Sequence, residues 1–515
     1  RNNYTNFDNT NDRISPEEAR THGADFEDRS NSLVGEVNSS LSDGLFNVFR
    51  FQWATEDRPR PGNNFLPEFD VNLTSSDRAE FFGDGIVFRN ILEEDTFQVI
   101  DNLTWTLGEH TVKVGTNNSF LDIRNLFHLN GNGEFRFRSL ADLEARRPDT
   151  FSRLLLAGEG ENISPDAKFG LAEVALYAQD EWRVSDRLLL NVGLRWDSSF
   201  FQDEAPDFPG LADSLGVDVT AVPEDRDNFG PRGSFTYDVN ADGRSIVRGG
   251  VGRFFARPPY VLHGNVLQTS PPLLSIFCSG ANVPAPDVEF FAQDPTGGNN
   301  PRSCVGGGAP SGRPQFTTWD EGWENPETWK FNVGWEQAIG PNTTLALDGI
   351  YSVSSDLYNA FDVNLRDPVF FLATEAGRPV HVPADRFDPS RSASTDRLRN
   401  RVFDRVFFNT NEAEARSVSA LVRIGQRFSD EFRGEASYTF TRARDNSSSS
   451  CCTSQEFFES PTAGDPNFIG DPGDEEEGAW GPSEFERPHV IILNGTYALP
   501  AGFQVSAVYR GQEGT

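Results

Sequence analysis

The 515-residue chain contains no methionine, four cysteines, six histidines and only three lysines, Lys113, Lys168 and Lys330. Without methionine at position 1, it reads as a fragment or a processed product. No run of ~20 apolar residues is present, so no segment can cross a bilayer as a helix. Positive charge is scarce too. Its 45 Lys and Arg face 78 Asp and Glu, a net charge of -33, and an acidic surface repels polyanions, so nucleic acid is not an expected partner. The histidines, His22, His110, His128, His263, His381 and His489, form no HExxH motif and no pair at metal-ligand spacing. There is no GxSxG nucleophile elbow. The segment GGAPSGR (307–313) imitates a phosphate loop, but Arg313 replaces its lysine and Pro314 stands where Ser or Thr would bind magnesium. The expectation is a protein that is not an enzyme and uses no cofactor.

What the chain does have is alternation. Seven times, two runs of alternating apolar and polar residues are joined by a few turn-forming residues. The links are Ser42-Asp43-Gly44, Gly108-Glu109-His110, Val184-Ser185-Asp186, Asn240-Ala241-Asp242-Gly243, Gly340-Pro341-Asn342, Ser429-Asp430-Glu431 and Pro500-Ala501-Gly502. Successive hairpins are separated by roughly 30 to 70 residues, far longer than ordinary connections in a compact domain. Alternating short and long links, with strands of about 10 residues, point to an outer-membrane β-barrel with periplasmic turns and extracellular loops. Its hydrophobicity sits at every second position, so a mean hydropathy of -0.50 is compatible with a membrane. The predicted fold is all-β: a transmembrane, antiparallel, up-and-down barrel, incomplete, with about 14 recognisable strands.

In the clearest hairpin, Leu176 to Asp197, Leu188, Leu190, Val192, Leu194 and Trp196 share one face, while Asn191, Arg195 and Asp197 share the other. A charge on the lipid face costs about 2–4 kcal/mol near the midplane. Strand parity therefore directs Arg195, Asp197, Arg248, Lys330, Glu336, Asp348, Arg433, Glu435 and Arg510 into the lumen, where they are expected mainly to pair with one another or with a plug. Trp105, Trp182, Trp335, Phe428, Phe432, Tyr497 and Phe503 all lie close to short turns, the place for an interfacial aromatic girdle. Most of the acid falls outside the strands, in Glu17-Glu18, Pro223–Asp227 and Asp471–Glu477. It reads as solvated surface, with divalent-cation bridging to lipopolysaccharide as the less favoured alternative.

Several stretches together resemble the barrel of TonB-dependent receptors. LYAQDEWRVSDRLLLNVGLRWD (176–197) carries the general likeness, and NFGPRGSFTYDVNADGRSIVRGGVGRFFARPP (228–259) that of the Oar-like branch. NPETWKFNVGWEQAIGPNTTLALDGIYS (325–352), EASYTFTRARD (435–445) and WGPSEFERPHVIILNGTYALPAGFQVSAVYRGQEG (480–514) extend it over most of residues 30 to 514. The resemblance implies a 22-stranded barrel preceded by a signal sequence, often a small carboxypeptidase-regulatory-like domain, and a plug. Residues 1–515 are accordingly expected to be part of such a barrel, without signal peptide, plug or closing strands. It also implies energised passage of an unidentified substrate, by uptake or export. The implied partners are a TonB-type energy-transducing complex, acting through a plug, an extracellular ligand, and outer-membrane lipid with lipopolysaccharide. The competing reading is a surface-exposed structural or adhesion β-protein whose acidic loops bind cations.

Two motifs remain. Asp238, Asn240, Asp242 and Gly243 reproduce the first half of a calcium loop, but Gly249 stands where the bidentate glutamate belongs, and a tight hairpin is the favoured reading. The four cysteines all fall outside the expected strands. Cys278 and Cys304 share one long loop facing an oxidising exterior, and are expected to form a disulfide. The adjacent Cys451 and Cys452 stay open between free thiols, a bridge to another loop, and a soft metal.

Overall fold

The computed structural model describes residues 2–12, 19–72, 79–85, 90–156, 166–257, 260–269, 273–307, 313–372, 378–385, 397–446 and 480–514. Cys451, Cys452, Glu17-Glu18 and the acidic stretch 471–477 lie outside them. Fifteen strands form an up-and-down wall. They are β1 (Asn2–Asp12), β2 (Ala24–Ser42), β3 (Leu45–Arg60), β4 (Asn90–Leu107), β5 (His110–Phe127), β6 (Asp166–Ser185), β7 (Leu188–Phe201) and β8 (Asn228–Asp238). The series continues with β9 (Ser245–Phe255), β10 (Glu327–Ala338), β11 (Thr343–Asp362), β12 (Val406–Arg427), β13 (Phe432–Asp445), β14 (His489–Ala498) and β15 (Gln504–Gln512). Each pairs antiparallel with the next. Among the described residues, no pairing joins β1 to β15, so the sheet is open at both edges.

The wall has one strand more than the hairpin pattern reveals. β1, NNYTNFDNTND, carries only Tyr4 and Phe7 as large apolar residues and shows no alternation. It is a strand because β2 offers an edge to pair with. Seven further short strands, built from the long connections, bring the whole sheet to 22.

Alternate residues differ in exposure in the sense opposite to a soluble sheet. On β7, Val192 and Leu194 are 62% and 49% exposed, while Asn191, Gly193 and Arg195 beside them are partly covered. That is the pattern of a sheet curved with its polar face inside, where side chains crowd, and its apolar face outside, where they splay. Of the turn-proximal aromatics, Trp105, Trp182, Phe428, Tyr497 and Phe503 are exposed, Phe432 stacks 5.0 Å from Phe428, and Trp335 is partly covered, its Nε1 donating to Ser245 at 3.2 Å. Within the membrane-spanning part of the wall, two carboxylates depart from the alternation. Register puts Asp101 and Asp180 on the outer face, each held by a partner: Asn47 Nδ2 donates to Asp101 at 2.6 Å, and His110 Nδ1 lies 2.7 Å from Asp180.

Several strands greatly exceed the ~10 residues needed to cross a bilayer. β6 and β11 have 20 residues and β12 has 22. Their loop-ward ends stand above the membrane, and there the long connections fold into a canopy. Ala79–Phe82, Glu68–Asn72, Glu134–Phe137, Thr150–Leu156, Leu273–Ser279 and Arg313–Trp319 pair in that order. The last runs parallel to β12, Phe316 to Trp319 against Val406 to Asn409. These connections are thus not the unstructured polar loops their composition implies. One face of the canopy buries Phe69, Phe135, Phe137, Phe151, Leu155 and Phe291. Cys278 sits on one of these strands rather than outside strands, and is disulfide-bonded to Cys304 with Cα atoms 5.4 Å apart.

Two outcomes test this architecture. Leu194→Arg, pointing into lipid, should cost about 2–4 kcal/mol and reduce the heat-modifiable folded band on gels, while lumen-facing Asn191→Arg should leave it near wild type. Reduction of Cys278–Cys304 removes a cross-link that is worth roughly 3 kcal/mol for a loop of this length. Proteolysis should then cut between 273 and 307 without loss of the folded band; an uncleaved canopy would count against its dependence on the bridge.

Candidate functional site

The inner face of the wall is polar and largely internally paired. Register places all nine sequence-derived candidates on this one face. Four of them form a single ladder across five strands. Arg248 on β9 donates to Asp348 on β11 at 2.9 Å and lies 3.9 Å from Glu336 on β10. Arg423 on β12 continues the ladder, 3.6 Å from Glu336 and 3.8 Å from Glu435 on β13. Asn494 on β14 donates to Glu435 at 3.5 Å. Arg248 reaches across β10 because Gly334 lies between: a Cβ there would sit 2.5 Å from Asp348 Oδ1.

Arg195 and Asp197 pair with each other at 2.7 Å, and Arg195 also lies over the Tyr177 ring at 5.3 Å. The Tyr177 hydroxyl donates to Asn102 two strands away, at 2.6 Å, passing over Gly115, where a Cβ would meet the ring. Lys330 lies 5.8 Å from the Phe254 ring, which Arg232 approaches to 4.5 Å. Arg433 stands opposite Arg427 and Thr496, and Arg510 opposite Ile492. Neither joins the ladder. The bridging residue missed in the sequence is Arg423. Its signal was present in the run RSVSALVRIGQR, which alternates with the same period as the strands that were read.

The mouth is narrowed by a short helix, α1 (Tyr260–Gln268), from the long β9–β10 connection. It packs on Leu121, Ile123, Phe169 and Leu171, all on the inner face of β5 and β6. Gln268 donates to the Asn125 carbonyl at 2.8 Å. The Tyr260 hydroxyl donates to Glu173, whose carboxylate also lies 3.0 Å from Arg257; burial beside this carboxylate pushes the Tyr260 pKa up. Between α1 and the wall is a cavity of about 180 Å³, lined in part by Arg58, Arg60, Asn90, Glu94, Asn125 and Tyr260. No sequence motif marked this helix, which has Gly264 at its centre and no amphipathic stripe.

His263 anchors α1. Its ring lies 5.0 Å from Phe169 and 4.6 Å from Phe201, and Nε2 is 3.1 Å from the Asp203 carbonyl. Burial holds its pKa down at about 4. The other histidines are also engaged: His22 with Glu68, His110 with Asp180, His128 with the Leu154 carbonyl, His381 with the Arg366 carbonyl, and His489 with Tyr438. Among the described residues, no three His, Cys, Asp or Glu groups are arranged to hold a metal. Asp238 accepts instead from the turn amides of Gly243 at 2.8 Å and Asn240 at 3.3 Å, and Asp242 from Arg244 at 3.0 Å. These are the bonds of a tight hairpin.

A pH response follows from His263. Its folded pKa lies below the ordinary 6.5, so as pH falls the undocked loop takes up a proton before the docked one does. Docking is unaffected above pH 6.5 and weakens progressively between about 6.5 and 4, by on the order of 3 kcal/mol in all. Amide exchange over residues 260–269, corrected for intrinsic rates, should accelerate through that window in the wild type and not in His263→Gln. A flat wild-type profile would refute the assignment.

The outer membrane beta barrel domain family matches residues 1–511. No curated protein matches the chain in sequence. In fold it is similar to the outer membrane transporter YddB from Escherichia coli, with 12% identity and a TM-score of 0.56, over 99% of this chain and 53% of that one. The pyoverdine outer membrane receptor FpvA from Pseudomonas aeruginosa PAO1 matches at 12% identity and TM-score 0.48, over 95% of this chain and 51% of that one. The FrpB iron transporter from Neisseria meningitidis, F5-1 variant, matches at 9% identity and TM-score 0.49, over 96% and 54%. The chain spans about half the length of these solved structures. An open sheet with an apolar exterior, a charged interior and a match along almost its whole length lead to one assignment: this chain belongs to the outer membrane beta barrel domain family and resides in the outer membrane.

Proposed function

We propose that the chain is the greater part of the wall and outer mouth of a TonB-dependent transporter or receptor, a non-catalytic protein that moves a ligand across the outer membrane. The observation carrying this reading is the union of a charged inner face with a mouth narrowed by α1. A helix docked inside the entrance narrows the route, which favours a selective passage over a wide-open channel. The open edges at β1 and β15 are consistent with further strands that complete the barrel, because an unpaired edge in hydrocarbon costs several kcal/mol per backbone group. A plug and its TonB-contacting segment would belong to the rest of the protein. The inner-face carboxylates and arginines would hold the plug, and the ligand would first meet the canopy and the cavity beside α1.

The test uses the complete protein in its native membrane. A strain lacking it and a strain lacking the inner-membrane energy-transducing complex should fail to deplete the same compounds from a complex medium. If depletion is independent of the energiser, or if the protein washes off with alkaline carbonate and instead promotes adhesion to matrix, the transporter reading fails.

A further inference from the structure

The outer face of the wall changes character abruptly at one height on β12 and β13. From the short turn upward, β12 presents Ile424, Val422, Ala420 and Val418, and β13 presents Phe432, Ala436, Tyr438 and Phe440. The next outward positions are Arg416 on one strand and Arg442 and Arg444 on the other, all exposed. Arg416 stands directly opposite Arg444, and Arg442 opposite Val418. Like charges facing each other across a ladder destabilise it. Two carboxylates lie near them: Glu414 is 3.4 Å from Arg416, and Glu486 accepts from the backbone amide of Ala443, between Arg442 and Arg444. Neither carboxylate is paired with Arg442 or Arg444, and three arginines grouped at one height are a marked local reversal in a chain of net charge -33.

A cavity of about 610 Å³ opens here, lined by Tyr351, Arg416, Val418, Arg442, Arg444 and Trp480. Trp480 braces two of the arginines: its ring lies 5.3 Å from the Arg416 guanidinium, and its carbonyl accepts from Arg444 at 3.2 Å. The site's height is set by the strand. Arg416 is eleven residues beyond Arg427, the turn-proximal end of β12, or about 36 Å along the strand at ~3.3 Å per residue. A strand tilt of about 40° turns this into roughly 28 Å of height, against an apolar band of about 25 Å. The arginines therefore lie just above the hydrocarbon, at the depth of the outer-leaflet headgroups.

We propose that Arg416, Arg442 and Arg444, braced by Trp480, form a binding site for a phosphorylated glycolipid of the outer leaflet, of the lipid A type. Guanidinium forks match phosphate oxygens bidentately, an anion between Arg416 and Arg444 relieves their repulsion, and acyl chains extend down over Val418, Phe440 and Tyr351. The site is on the outside of the wall and does not depend on what passes through the lumen.

The experiment titrates the full-length protein in detergent with bisphosphorylated lipid A and with its dephosphorylated form. In Arg416→Gln/Arg442→Gln/Arg444→Gln, affinity for bisphosphorylated lipid A should fall at least tenfold, to the level at which the wild type binds the dephosphorylated form. A control removing the same charge from exposed canopy arginines, Arg146→Gln/Arg147→Gln/Arg302→Gln, should bind like the wild type. Heat-modifiable migration checks folding. If the triple variant does not fold, Arg442→Gln alone should still weaken binding threefold or more. Unchanged affinity in a folded variant, or equal binding of the two lipids, overturns the proposal. So does a tenfold gain on deleting residues 471–477, which would mean that the chain's own acidic stretch occupies the arginines.

Discussion

Hydrocarbon offers no hydrogen bonds, and the rest of this structure follows from that one fact. Every amide in the membrane-crossing part of the wall must find its partner within the protein, which selects an antiparallel meander and makes side-chain parity absolute. How strictly the rule operates is visible at one lapse in the ladder between β5 and β6, where pairing passes from Glu173 to Leu176 without bridging Ala175. Side chains substitute for the missing backbone bonds. Thr116 Oγ1 donates to the Ala175 carbonyl at 2.9 Å, and Asn118 Oδ1 accepts from its amide at 3.4 Å. Two polar residues thus stand on the outer face because the backbone requires them there.

Parity is local, and so it was legible in the sequence. The run LLLNVGLRWD announces which residues face lipid and which face the lumen, and register puts every charged candidate from Arg195 to Arg510 on one face. Partner choice is not local. Arg248 meets Asp348 only because β10 interposes Gly334, and Glu336 meets Glu435 only through Arg423. Those facts depend on three or more strands at once. The canopy was opaque for a related reason: its strands are four to seven residues long, and Thr150–Leu156 finds its partner in Leu273–Ser279, more than 100 residues away. Alternation over so few residues repeats only two or three times and does not stand out within a long polar connection. β1 was hidden differently, because its sequence has no apolar face and the strand exists by virtue of its neighbour.

Hydrophobic burial is displaced upward in this molecule. Within the membrane zone the large aliphatics are exposed to what would be lipid, and the buried apolar clusters lie in and beneath the canopy. One set includes Leu211, Val217, Phe316, Phe403 and Val406; another includes Leu262, Trp319 and Trp323. The part facing water is therefore built like an ordinary soluble domain, with a core, a disulfide and paired buried acids. Glu134 is one such acid, its pKa raised by burial despite the nearby Arg136. The two halves answer to different solvents and need not lose their order together.

The parallel pairing of Phe316–Trp319 with Val406–Asn409 also has a mechanical meaning. Through it, strands from three separate connections are tied in series to a single stave of the wall. Each link in that series is made of backbone hydrogen bonds, so a displacement of one canopy strand is passed to its neighbours and on to β12, while every connection also stays joined at both ends to its own wall strands. An object arriving from outside therefore meets one braced sheet and not a brush of independent bristles, with Ala79–Phe82 the strand farthest from β12 in pairing order.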